Sequence, residues 1–251
     1  MPRETTKRGR PADSYKRLRD YGIIGNLHTV ALVGVDGSID WYCYPYFDSA
    51  SLFGAILDSS KGGHFRISTQ SYATRNQFYL PDTNVLITRF LTREAVGEVT
   101  DYMPIAQGKG EVQRHRIIRQ VEAVRGTIPF ELECLPAFDY ARRSHETKLD
   151  EAGAQFLAPN LTLTLAGLVP LQKAGAGVRA DFRLKEGESA SFVLEGTDGP
   201  CTFNQVHLRP PEVEEARILF ERMLGYANSL GLYAEEIGRR GEALGNFPQA
   251  F

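Results

Sequence analysis

Hydrophobic positions recur along this chain with two different periods, and the change from one to the other divides it. Up to about residue 205, apolar and polar side chains alternate in short runs separated by Gly, Asn, Asp and Pro. That is the period of strands with one buried face. Residues 29–35 are β-branched and apolar, Asp36-Gly37 follows, and 38–44 runs back. A hairpin is expected, with Asp36 and Gly37 both at positive φ in a two-residue type I′ turn. On the return strand Ile39, Trp41 and Cys43 are expected on one face and Asp40, Tyr42 and Tyr44 on the other. Pro45 ends the hairpin. Residues 51–57 form a short apolar run that reads as one or two helical turns before Lys61-Gly62-Gly63 breaks it.

Further strands are expected at 64–69, 76–80, 85–92, 96–102, 114–124, 128–135, 154–158, 161–165, 178–184 and 189–194. Within 128–135, Phe130, Leu132 and Cys134 alternate with Glu131 and Glu133, the pattern of a half-buried antiparallel strand. Lys185-Glu186-Gly187-Glu188 joins the last two runs as a hairpin loop. Many short strands with regular turn signals and almost no helix indicate a mainly β chain built as an antiparallel β-sandwich.

After His207 the period changes to that of a helix. Over 212–230, Val213, Ala216, Phe220, Met223, Leu224 and Ala227 make one stripe, with Glu214, Glu215, Arg217, Glu221 and Arg222 largely opposite. Pro211 suits the first turn and Gly231 the stop. The expected organisation is a disordered leader over 1–17, a sandwich over 18–205, a Pro-rich joint over 206–212 and a short α-helical tail over 213–251. Without partners, the stripe is expected to dock loosely on the sandwich or to drive self-association, because exposed apolar surface is costly in water.

Composition narrows the function classes. The 251 residues are 42% hydrophobic and 24% charged with a net charge of −2, so neither nucleic acid nor an anionic membrane is an expected partner. No apolar run approaches the ~20 residues of a membrane span, and the charged N-terminus lacks the apolar stretch of a secretory signal. Cys43, Cys134 and Cys201 form no C-x-x-C pair, and the histidines at 28, 64, 115, 145 and 207 do not cluster in sequence. No metal and no cofactor are expected. Cys43 and Cys134 read as buried thiols of a reducing cytoplasm.

Several residues could carry chemistry, each with a plainer reading. Glu131 and Glu133, two apart on one strand, would hold carboxylates roughly 7 Å apart, inside the range of an inverting glycosidase. A solvated strand face explains them as well. Asp40 reads as a turn-adjacent acceptor and Asp48 as the organiser of an Asx-turn, or either faces a ligand. Trp41, Tyr42, Tyr44, Tyr46 and Phe47 make either an aromatic platform or core plus interface. Arg114, Arg116, Arg119 and Arg125 read as exposed strand and turn positions. The Gly175-Ala176-Gly177 loop lacks the following helix that a phosphate cradle requires, and no G-x-S-x-G nucleophile elbow occurs.

Four stretches carry a resemblance. Asp20-Tyr21-Gly22-Ile23-Ile24-Gly25, then Asp36 through Trp41, then Cys43-Tyr44-Pro45-Tyr46-Phe47-Asp48-Ser49 are similar to the D-Y-x-x-I-G…DGSIDW…C-x-P-x-F-D-S opening of glycoside hydrolase family 15, the bacterial and archaeal glucoamylase/trehalase type. Relatives often carry Arg where this chain has Tyr46. Asp101-Tyr102-Met103-Pro104 resembles the family's D-[FY]-M-P, and residues 119–142 resemble its R-x-V…G-x-x-P-F…P-x-F-D-Y-[AG]-R block. The tail, 212–251, resembles the far end of the family's (α/α)6 catalytic barrel.

The resemblance implies a trehalase-like N-terminal β-sandwich, supersandwich-like, fused to a barrel fragment. It implies α-glucoside substrates, trehalose or malto-oligosaccharides, hydrolysed with inversion in intact relatives. It makes Glu235 the general base and Trp41, Tyr46 and Asp48 candidate substrate contacts. No segment matches the family's general acid, and Glu236 cannot replace it because neighbouring side chains point in different directions. The chain is therefore expected to be catalytically incomplete alone. The alternative is a non-catalytic carbohydrate-binding or assembly sandwich that docks onto a separate catalytic subunit.

Overall fold

The computed structural model describes residues 15–71, 73–105 and 115–198. A 3-10 turn, Leu18–Asp20, leads into sixteen strands. They are β1 (Tyr21–Gly25), β2 (Val30–Gly34), β3 (Ser38–Cys43), β4 (Ser51–Phe53), β5 (His64–Ser68), β6 (Thr74–Tyr79), β7 (Leu86–Leu91) and β8 (Val96–Tyr102). There follow β9 (Arg116–Arg125), β10 (Thr127–Leu135), β11 (Glu146–Asp150), β12 (Gly153–Ala158), β13 (Leu161–Gly167), β14 (Gln172–Ala174), β15 (Gly177–Lys185) and β16 (Ser189–Asp198). A single helical turn, α1 (Phe138–Ala141), sits between β10 and β11.

The strands form two eight-stranded antiparallel sheets. The first runs β1-β2-β3-β5-β10-β15-β14, with β4 on β3; the second runs β11-β12-β13-β16-β9-β8-β7-β6. Their inner faces share one core. Phe53, Phe65 and Phe130 from the first sheet meet Phe90, Phe156 and Phe192 from the second, all essentially inaccessible. Phe90 and Phe130 pack edge to face at 6.3 Å across the interface, the arrangement favoured by ring quadrupoles. Cys43 and Cys134 are free and buried, as their alternation implies.

Four expectations are corrected. Only Gly37 has positive φ in the β2–β3 turn, at 81°, so the turn is not type I′. Gly37 N–H closes onto Gly34 C=O at 2.8 Å, which makes a longer loop with one left-handed residue. Second, β3 does not alternate cleanly: Leu32 pairs with Trp41 but Val33 with Ile39, leaving Asp40 as an extra residue. This bulge flips the side-chain parity, so Ile39 joins Tyr42 and Tyr44 in the core rather than Trp41 and Cys43. Third, 51–57 is not helical: Ser51–Phe53 pairs with β3, and a turn follows. Fourth, Arg116 and Arg119 are buried, not exposed. Strands β1, β11 and β14 have no counterpart among the expected strands; they are short and paired at sheet edges.

Candidate functional site

Three of the signature motifs converge on one buried ion pair. Arg119 on β9 and Asp101 on β8 are both 0% exposed. The guanidinium donates through Nε to Asp101 Oδ1 at 2.7 Å and through Nη2 to Oδ2 at 3.1 Å. Its remaining donors cross to the other sheet, Nη1 to Phe65 C=O at 2.6 Å and Nη2 to Gly37 C=O at 2.7 Å. The Phe65 ring lies 4.7 Å from the guanidinium carbon. Gly37 is required twice over: its φ is left-handed, and a Cβ there would sit 2.1 Å from Ile67 C=O. The Gly of DGSIDW, the Asp of D-Y-M-P and the first Arg of the 119–142 block are thus one inter-sheet clamp, with every charge desolvated and paired. It is architecture, with no open face for a ligand.

The Asp of DGSIDW is also held. Asp40 accepts from Tyr21 Oη at 2.7 Å, from Ser38 Oγ and from Lys16 Nζ, and Lys16 reaches Asp36 at 3.0 Å. Burial first, then the bond to Asp40 and the surrounding carboxylates, pushes the Tyr21 hydroxyl far above its ordinary value, so it stays a donor. This knot lines a polar cavity of about 410 Å³, to which His64 and Arg66 of the first sheet and Arg75 of β6 also contribute. Glu133 takes both His64 Nε2 and Arg66 Nη2 at 2.9 Å. Glu131 accepts from Gln70 Nε2 at 3.5 Å. Glu133 thus belongs to a cross-strand polar lattice on the outer face of the first sheet, and both glutamates fit the reading of a solvated strand face.

The loop after β3 is built differently. The Tyr44-Pro45 peptide is cis. Tyr44 reaches into the sandwich and donates to Gly196 C=O at 2.7 Å, close enough that a Cβ on Gly196 would collide with its ring. Tyr46 and Phe47 then turn outward, 52% and 57% exposed. Tyr46 stands beside His28 and His115, ring centroids 6.1 and 5.9 Å away. Ser49 organises the turn, its Oγ accepting from Tyr46 N–H at 3.1 Å and its own N–H donating to Tyr46 C=O. Asp48, expected to do this as an Asx-turn, is exposed and makes no hydrogen bond among the described residues.

Trp41 is half-buried on the outer face of the first sheet, 6.2 Å from the Tyr140 ring. Tyr140 belongs to α1, where Asp139, Tyr140 and Ala141 all have left-handed φ, at 53°, 57° and 63°. Each such L-residue costs ~1–2 kcal/mol, and conformations of this kind concentrate at functional surfaces. Asp139 fastens the turn to Arg142 at 2.7 Å and Arg143 at 3.2 Å, which holds its carboxyl below the usual range. Burial raises the Cys43 thiol above its ordinary value, partly offset by the neighbouring Tyr140 hydroxyl. Of the sequence-derived candidates, Trp41, Tyr46 and Asp48 lie at or near the surface, and Glu235 lies outside the described residues. Reasoning from sequence missed Tyr140, His28 and His115 because only the fold brings them to Trp41 and Tyr46. Among the described residues no group of three or more His, Cys, Asp or Glu is placed to hold a metal.

Residues 3–168 match the family model described as "Trehalase-like, N-terminal". The chain belongs to the trehalase-like N-terminal family. Similar curated proteins include the "Trehalase" of Thermoplasma volcanium, 30% identical over 187 residues, or 72% of this chain and 29% of the relative. The "Trehalase" of Mycobacterium tuberculosis is 29% identical over 206 residues, 73% of this chain and 30% of the relative. The chain thus spans under a third of the length of these relatives. A solved structure, "Putative kojibiose phosphorylase from human microbiome", overlays 82% of this chain and 33% of its own at a TM-score of 0.42 and 11% identity. No helix among the described residues is long and apolar enough to cross a membrane.

Proposed function

We propose that this chain is the β-domain of a glucoamylase/trehalase-type hydrolase of glycoside hydrolase family 15. In this reading its signature loop faces α-glucoside, trehalose or a malto-oligosaccharide, at the edge of a helical catalytic unit. The observation that carries the reading is the exposed loop at Tyr46, Phe47 and Asp48 in a chain that belongs to the trehalase-like N-terminal family. Apolar sugar faces stack on such rings, and Trp41 with Tyr140 offers a second aromatic surface. Free buried thiols fit a reducing cytoplasm.

Inverting hydrolysis needs a base to activate water and an acid to protonate the departing oxygen, ~6.5–9.5 Å apart. Glu235 takes the role of base by resemblance. The interior and lattice carboxylates are already committed, Asp101 to Arg119, Asp40 to Tyr21 and Lys16, and Glu133 to His64 and Arg66. No stretch of the sequence resembles the family's general acid, and in this reading the chain by itself hydrolyses nothing. Purified chain incubated with trehalose or maltotriose should release no glucose above a buffer blank. Glucose release that disappears in Glu235→Gln would overturn this.

A second reading is favoured by the half-exposed Tyr46 and Phe47: a non-catalytic module that binds carbohydrate or docks onto a separate catalytic subunit. Calorimetric titration with malto-oligosaccharide separates the two. Heat lost in Tyr46→Ala supports binding by the module, and no heat from the isolated chain supports the first reading.

A further inference from the structure

At one end of the second sheet, side chains that point away from the sandwich interior are as buried as the core. Tyr102, Ile118, Val193 and Ala166 stand in one cross-strand row over β8, β9, β16 and β13. They are 0%, 1%, 5% and 7% exposed and, with Val85 and the partly buried Leu80 of the β6–β7 connection at its β8 edge, form a second apolar cluster, separate from the inner one. The adjacent row, two residues along each strand, is polar: Arg116, Glu195, Thr164 and Gln155 pair in register across β9, β16, β13 and β12. Each of the four is at most 9% exposed.

Arg116 Nε bonds Glu195 Oε2 at 2.8 Å. Arg116 Nη2, Thr164 Oγ1 and Gln155 Oε1, however, are buried without a hydrogen-bond partner among the described residues. Buried polar atoms are almost always paired. At the opposite end of the same face Glu122 is exposed and Gln120 and Thr100 half-exposed, as expected where an antiparallel sheet meets water. Every described strand lies within the two sheets, and α1 packs on β4 of the other one.

We propose that residues 212–230 of this same chain cover the two rows as an amphipathic helix. The chain leaves β16 at Asp198, paired with Leu161 beside the patch. Residues 199–211 reach up to about 43 Å when extended, ample to return over the face. Nineteen helical residues are about 28 Å long, whereas five strands from β12 to β8 span about 19 Å. The stripe through Phe220, Met223 and Ala227 matches the apolar row. Glu212, beside that stripe, suits the spare Arg116 donors, and Arg217, on its other flank, suits the spare acceptor of Gln155.

Disulfide trapping in the full chain tests this. Ala166→Cys is combined in turn with Phe220→Cys, Met223→Cys, Ala227→Cys and, as control, Arg222→Cys on the opposite side of the helix, all with Cys201→Ser. Disulfides form only where Cα atoms approach to ~4.4–6.8 Å. At least one stripe position should give an intramolecular disulfide at tenfold or more the yield of the Arg222 control. Equal yields, products only between chains, or no product would overturn the proposal. Gln155→Cys serves as a second anchor if the Ala166 variants fail to fold, and the same outcomes apply to it.

Discussion

The two outer faces of the sandwich obey the same alternation and end in opposite environments. On the first sheet the outward positions carry a lattice of ion pairs open to water, with Glu133 shared by His64 and Arg66 and Arg179 paired with Asp181. On the second sheet the outward row at the β13–β16–β9 end is apolar and buried, and in the polar row beside it the Arg116–Glu195 ion pair is nearly inaccessible. A period of two says that a strand has two faces and leaves open which of them is dry. The chemistry of the outward residues supplies the rest: Ile, Val and Tyr where something must cover them, Glu, Arg and Lys where water does.

The sharpest way to break this comparison is through the clamp that holds the two sheets together. Asp101→Asn or Arg119→Met leaves one charge buried and unpaired, which should cost about 3–5 kcal/mol. Thermal unfolding should then come roughly 10 °C earlier. A loss under 1 kcal/mol would mean that the pair is hydrated and the sheets are less tightly joined than described. Next, Val193→Asp places a carboxylate in the buried row and should cost about 2–4 kcal/mol in denaturant titration. An effect as small as that of a surface exchange would show the row to be open.

Alkaline pH gives a third test of the dry interior. Burial raises the Cys134 thiol, so the folded chain keeps it neutral. The unfolded thiol ionises near pH 8.5. A raised folded value means that this contribution is whole below pH ~8.5 and is lost as pH rises above it, roughly 2 kcal/mol by pH 10. Stability should fall between pH 8 and 10, and Cys134→Ala should flatten that fall. The smallest effect belongs to the wet face. Glu133→Gln should cost under about 1 kcal/mol and lose even that in high salt. A larger, salt-insensitive cost would mean that this face too is buried.

Much of the scaffold was legible in sequence because strands with one dry face announce themselves by alternation. That is how the runs ending up as β5, β7, β8, β10, β13 and β15 could be located, and why Cys43 and Cys134 read as buried. The failures have particular causes. Arg119 looks like any charged strand residue, since nothing nearby in sequence marks Asp101, Phe65 C=O and Gly37 C=O as its partners. The Asp40 bulge adds one residue to one strand, which a strict period cannot register. The left-handed turn at Asp139, Tyr140 and Ala141 contains no glycine to betray it. The site was legible mainly as motifs, and the motifs mixed two roles. Gly37, Asp40, Asp101 and Arg119 build the frame, whereas Tyr46, Phe47 and Asp48 are what it presents.

Hydroxyl-radical footprinting of the full chain, read residue by residue by mass spectrometry, tests that division most directly. Expected is rapid oxidation of Tyr46, Phe47 and Tyr140, which are 52%, 57% and 41% exposed, with Tyr102 and Ile118 at least tenfold slower. Oxidation of Tyr102 as fast as Tyr140, or protection of Tyr46 and Phe47 in the isolated chain, would contradict it.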